Sequence, residues 1–148
     1  MKYMLIMRST EAAVAENDNI DFDQILTAMG KYNEAMMDAG VLLDGEGLAD
    51  ASEGAIVNFD ADPPIVTDGP YGEVHELFNG FWILDVRGKA EAIEWARRAP
   101  LGPGARIEVR RIHEEGDFEE YADNEYLQKE RAWRHEQASE RLRRASSS

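Results

Sequence analysis

A chain of 148 residues with 43% hydrophobic content can bury one ordinary core, so one domain plus an appendage is expected; the lack of cysteine removes disulfides, thiolate nucleophiles and cysteine-held zinc or iron–sulfur sites. Its 30 acidic and 16 basic residues give a net charge of −14, all of it in the first part: residues 1–86 carry 3 basic and 17 acidic side chains, residues 87–148 carry 13 of each. Such a surface repels phosphate backbones and anionic lipid, which argues against nucleic-acid and membrane partners, and with no long apolar run and Met1 to Met7 cut short by Arg8 a cytoplasmic address is the expectation.

Lys2 to Met7 is an apolar run suited to a buried, central strand, and the polar, acidic stretch from Ser9 to Asn19 reads as the loop after it. From Phe22, the residues Phe22, Ile25, Leu26, Met29, Met36 and Met37 recur at helical spacing. Asp21 can cap the start of this helix and Gly40 fits the left-handed position past its end. Val41-Leu42-Leu43 begins a strand that passes into Gly45-Glu46-Gly47, whose expected purpose is a bulge carrying Glu46 to the end of the sheet. Ala55 to Phe59 and Ile65 to Thr67 form a hairpin turned at 60–64, and Phe81 to Val86 is a further strand. Lys89 to Ala99 is a helix with Ile93 and Ala96 on one face, stopped by Pro100, Gly102 and Pro103, and Ile107 and Val109 alternate with charged residues in a half-exposed last strand. The order gives an α+β domain: a ferredoxin-like antiparallel sheet with two helices on one face and an extra hairpin. Residues 1–113 are expected to form it, with 114–148 an acidic linker and C-terminal helical extension. The pairs Glu125/Lys129, Glu130/Arg134 and Glu140/Arg144 support that helix, and Tyr126 and Trp133, seven apart, are expected to dock on something.

The titratable groups gather at Val66-Thr67-Asp68-Gly69-Pro70-Tyr71-Gly72-Glu73-Val74-His75-Glu76. Asp-Gly-Pro between apolar runs makes a sharp turn, which sends the polar residues after it to the rim of the sheet. His135 reads as a surface residue on a solvated helix, and His113 as a solvated or acid-paired histidine. His75, between Glu73 and Glu76 and seven residues after Asp68, is the candidate for proton transfer, with Asp68 or Glu73 orienting it. Against this stands a charged loop lying in water. The spacing of Asp68, Glu73, His75 and Glu76 matches no metal-ligand motif, no Gly-x-Ser-x-Gly elbow or phosphate loop occurs, and no metal or cofactor is expected.

Lys2-Tyr3-Met4-Leu5-Ile6, Ala39-Gly40-Val41-Leu42 into Gly45-Glu46-Gly47-Leu48, Thr67-Asp68-Gly69-Pro70, Glu73 with Glu76, Gly80-Phe81-Trp82 and Ala92-Ile93-Glu94-Trp95 together resemble the YCII-related, or DGPF-domain, proteins over about residues 1–112. The resemblance implies a homodimeric α+β barrel with a pocket, and a family set of polar residues at Asp68, Glu73 and Glu76. Tyr71 stands where the family's motif has Phe, His75 where it has Lys, and Asn79 where it has the first of a Gly pair. It also implies a link to extracytoplasmic-function sigma factors. Three readings follow. The first is a small-molecule site with lyase- or isomerase-type acid–base chemistry, with Asp68, His75 and Glu73 catalytic and Glu46, Gly69, Pro70, Tyr71 and Glu76 lining it. The second is a ligand-sensing or protein-binding module with a sigma-factor-linked partner, and the third is a dimeric scaffold.

Overall fold

The computed structural model describes residues 1–17, 19–69 and 76–147. These fall into two compact units, Met1–Ile112 and His113–Ser148.

In the first unit β1 (Lys2–Ser9), α1 (Glu11–Asn17), α2 (Phe22–Asp38), β2 (Leu42–Gly47), β3 (Ala55–Asn58), β4 (Ile65–Asp68), β5 (Leu77–Asp85), α3 (Lys89–Arg97) and β6 (Ala105–Arg111) follow in order. The main sheet is four-stranded, in the order β2-β5-β1-β6 with every neighbouring pair antiparallel, and β3 and β4 form a separate two-stranded ladder. This is an α+β arrangement compatible with a ferredoxin-like fold. The expected central place of β1 is borne out, and the 60–64 turn does join a hairpin.

Strand alternation sorts the side chains. Tyr3 and Leu5 of β1, Trp82 and Leu84 of β5, Tyr32 and Met36 of α2, and Ala92 and Trp95 of α3 are buried in one cluster, with Met7, Ile107 and Val109 packed at its edge. The Asp21 cap is as expected, its side chain accepting from the Asp23 N–H, and Gly40 takes φ 72°. The expected stripe of α2 is buried only in part: Met36 lies in the core and Met29 packs against it. Phe22, Leu26 and Met37 are exposed, whereas Tyr32, absent from the apolar stripe, is buried. Its hydroxyl donates to the Trp95 carbonyl oxygen at 2.7 Å and its ring stands edge-on to Trp82 at 5.4 Å, so an amphipathic residue fills the position an apolar pattern assigns elsewhere. On α3 the buried residues are Ala92 and Trp95, with Ala96 of the expected face packed beside them and Ile93 only partly buried.

Two further readings need correction. The stretch from Ser9 to Asn19 is not all loop, since it contains α1. The Thr10 hydroxyl accepts from the Ala13 N–H at 3.1 Å, Glu11 suits the positive helix start, and three alanines follow. The fifth strand begins at Leu77, four residues ahead of the expected start at Phe81. Asn79-Gly80 lies inside it, at an irregularity where Met7 pairs with Gly80 and Arg8 with Phe78. Gly80 is required there because a Cβ would meet the Glu46 carbonyl oxygen at 2.7 Å.

The second unit holds a 3-10 segment (Glu115–Tyr121) and α4 (Glu125–Ser146). The expected pairs Glu125/Lys129 and Glu130/Arg134 form, each at 2.7 Å. None of the α4 residues is fully buried. No described helix is long and apolar enough to cross a membrane.

Candidate functional site

The same alternation that sends Tyr3, Leu5, Trp82 and Leu84 to the core sends their neighbours to the opposite face of the sheet. The register arranges that face in rows running from β2 to β6. Asp44, Ile83, Met4 and Arg110 make one row, Glu46, Phe81, Ile6 and Glu108 the next, and Phe78, Arg8 and Arg106 the third. Its middle is apolar. One edge, on β2, carries only carboxylates, and the other, on β6, carries arginines around Glu108.

Ion pairs tie the arginine side together. Arg8 Nη2 lies 2.8 Å from Glu108 Oε2, Arg110 Nε lies 3.5 Å from Glu108 Oε1, and Arg106 Nη1 lies 2.9 Å from Glu76 Oε1. Arg8 is the unusual member: its side chain is 41% exposed, yet its Nε is buried with no hydrogen-bond partner among the described residues. A donor withdrawn from water and left without an acceptor costs about 1–3 kcal/mol. The guanidinium therefore gains from any movement that supplies an acceptor, and a planar carboxylate matches its fork.

Of the residues singled out in the sequence, Glu76 and Glu46 belong to this main-sheet group. Glu76 immediately precedes β5 and is held by Arg106, and Glu46 lies opposite Phe81 on the acidic edge. The β2 irregularity falls between Leu42 and Asp44, ahead of Gly45, so no bulge carries Glu46 to the sheet end. Instead Gly45 lies against Trp82, where a Cβ would stand 2.9 Å from Cδ1. Asp68 and Gly69 belong to the hairpin: Asp68 closes β4 opposite Ala55, and Gly69, at φ 77°, donates its N–H to the Gly54 carbonyl oxygen at 2.7 Å. Pro70, Tyr71, Glu73 and His75 lie outside the described residues. Among the described residues no group of three or more His, Asp or Glu side chains is placed to hold a metal ion.

His113 stands 3.3 Å from Asp117, which fits its reading as acid-paired, and His135, read as a solvated surface residue, is 78% exposed and lies 3.8 Å from Glu115. A cavity of about 400 Å³ lies between α3 and β6, with Ile93, Ala96, Leu101, Ile107 and Val109 in its lining together with Arg97 and Arg106. Neither Asp68 nor Glu46 reaches it. Arg8, Arg106 and Glu108 are the functional candidates that reading the sequence missed. The sequence places Arg106 and Glu108 only as charged positions of a half-exposed last strand and Arg8 just past the strand expected at Lys2 to Met7, whereas β1 runs on to Ser9 and so holds Arg8 within the sheet.

A protein-family model described as the YCII-related domain matches residues 1–115. An uncharacterized protein of Rhizobium meliloti (strain 1021) is 24% identical over 97 residues, covering 66% of this chain and 78% of that protein.

Proposed function

With residues 1–115 matched, the chain belongs to the YCII-related domain family, and from that premise we propose that it binds a small carboxylate-bearing molecule on the open face of its sheet. Arg8 carries the proposal, as a half-exposed guanidinium on an apolar face with one donor lacking an acceptor. Arg8 and Arg106 anchor the carboxylate, Phe78 and Phe81 cover its carbon skeleton, and Glu46 and Glu76 bound the site. Proton transfer of lyase or isomerase type is then assigned to His75 with Glu73 and Asp68, and needs no cofactor. A second copy encloses the face in a dimeric α+β barrel. The charge layout supports this: a two-fold axis parallel to the strands, set between two such faces, lays the acidic β2 edge of each copy over the arginine-bearing β6 edge of the other.

The test is a thermal-shift and NMR titration of the full chain with a panel of small organic acids. A saturable shift is expected for at least one acid, weakened ten-fold or more in Arg8→Gln and less in Arg8→Lys. No response at millimolar concentration from any carboxylate rejects the reading. Once turnover of a bound acid is measurable, unchanged turnover in His75→Ala removes the proton-transfer role.

One observation favours a second reading, a protein-binding module associated with sigma-factor regulation. Tyr126 and Trp133 of α4 are 75% and 56% exposed, an aromatic pair on an otherwise charged helix. An extracytoplasmic-function sigma factor titrated into the chain should then blue-shift tryptophan emission in the wild type but not in Trp133→Phe.

A further inference from the structure

We propose that the β3–β4 hairpin is an arm that seats its tip on a second copy of the chain, with Phe59 in the groove between α3 and β6 and Asp60 and Asp62 against the arginines of that groove. The state of the arm motivates this. β3 and β4 pair with each other and with no other described strand, and none of their eight residues is buried. Val57, Val66, Ile65 and Phe59 are all exposed, Phe59 by 79%. A lone two-stranded hairpin is at best marginally stable in water, and apolar side chains collected on one such element mark a contact surface.

The groove offers what the tip lacks. Its cavity of about 400 Å³ presents Ile93, Ala96, Ile107 and Val109 as apolar wall, with Arg97 and Arg106 in the lining. An aromatic ring flanked by two carboxylates and an apolar groove flanked by two guanidinium groups are complementary in both respects.

Charge identifies the occupant as a second copy. Residues 32–86, which include the arm, hold 12 acidic and no basic residues, whereas residues 87–112, which include α3 and β6, hold 7 basic and 3 acidic. One chain thus carries both halves of the contact. If each copy places its arm in the groove of the other, the contact is reciprocal and closes at two. The sheet edges agree, since β6 is the outer strand on the arginine side of the four-stranded sheet and β2, which leads into the arm, is the outer strand on the acidic side. The inference rests on the self-association contained in the proposed function; it shares Arg106 with the carboxylate site but requires no bound carboxylate.

The test is sedimentation equilibrium of the full chain. Phe59→Ser, at a solvent-exposed position, should weaken self-association ten-fold or more. Asp60→Arg with Asp62→Arg should weaken it as well, as should Arg97→Asp, and combining the three substitutions should restore part of the loss. Because the chain has no native cysteine, Phe59→Cys with Ala96→Cys should give a covalent dimer under mild oxidation, and each single variant should give little. A monomeric wild type, or self-association indifferent to Phe59→Ser with no inter-chain crosslink, overturns the proposal. Carboxylate binding is read separately by thermal shift, so either reading can fail while the other stands.

Discussion

Tyr32 combines core packing with a titratable group. Burial pushes its hydroxyl up to about 12, against a smaller opposite pull from the Arg98 guanidinium. A phenol in the unfolded chain ionises near pH 10, so between pH 10 and 12 only the unfolded chain releases its proton. Stability is therefore complete below pH 10 and falls as pH rises toward 12. Tyr32→Phe should remove that alkaline dependence. At pH 7 it should cost only about 0.5–1.5 kcal/mol in urea unfolding, because the Trp95 carbonyl oxygen keeps its bond from the Arg98 N–H. Gly80→Ala should be worse, at about 1–3 kcal/mol, since the added Cβ meets backbone that cannot rotate away, with amide-exchange protection lost first along β2. Neither residue declared its role in the sequence: tyrosine fits core and surface alike, and the need for a glycine at position 80 shows only once the approaching backbone of Glu46 is in place. Arg8 escaped for a related reason, because strand order decides whether it faces water, a helix or an open sheet.

At the scale of elements, hydropathy periodicity located α2 and its caps, because a helix of 17 residues repeats its pattern several times. It failed on α1, which has seven residues and little pattern to repeat. There the capping hydrogen bond is the stronger cue. Thr10→Ala removes the acceptor for the Ala13 N–H and should cost about 0.5–2 kcal/mol, with faster amide exchange in residues 11–17. The start of α3 is held from the other direction. The Glu91 carboxylate accepts from the Arg87 N–H at 2.8 Å, and that bond, helped by the guanidinium of the same arginine, holds its carboxyl below the ordinary range. This contribution is present above the unfolded carboxylate range and is lost as pH falls through the lowered value. Amide protection factors at the N-terminal turn of α3, corrected for intrinsic exchange, should therefore fall on acidification in the wild type and be low at every pH in Glu91→Ala.

For the whole molecule, the division at Ile112 carries a consequence for stability. Every residue of the hydrophobic core cluster, and every residue packed at its edge, lies between Tyr3 and Val109. A chain ending at Ile112 should keep the fold of the first unit, with its melting temperature and near-ultraviolet circular dichroism close to those of the full chain; loss of cooperative unfolding would show that the core depends on the second unit. The sequence by itself determined the class of the fold, the order of its strands and of its helices apart from α1, and the acidic first half, because composition and periodicity are properties of consecutive residues. Tertiary structure alone decided which face of α2 is buried, that Asn79-Gly80 continues a strand, and that Arg8, Arg106, Glu108 and Glu76 meet on one face. Those outcomes depend on which strands become neighbours and in what register, and residues separated by a hundred positions along the chain have no local pattern through which to signal that they will touch.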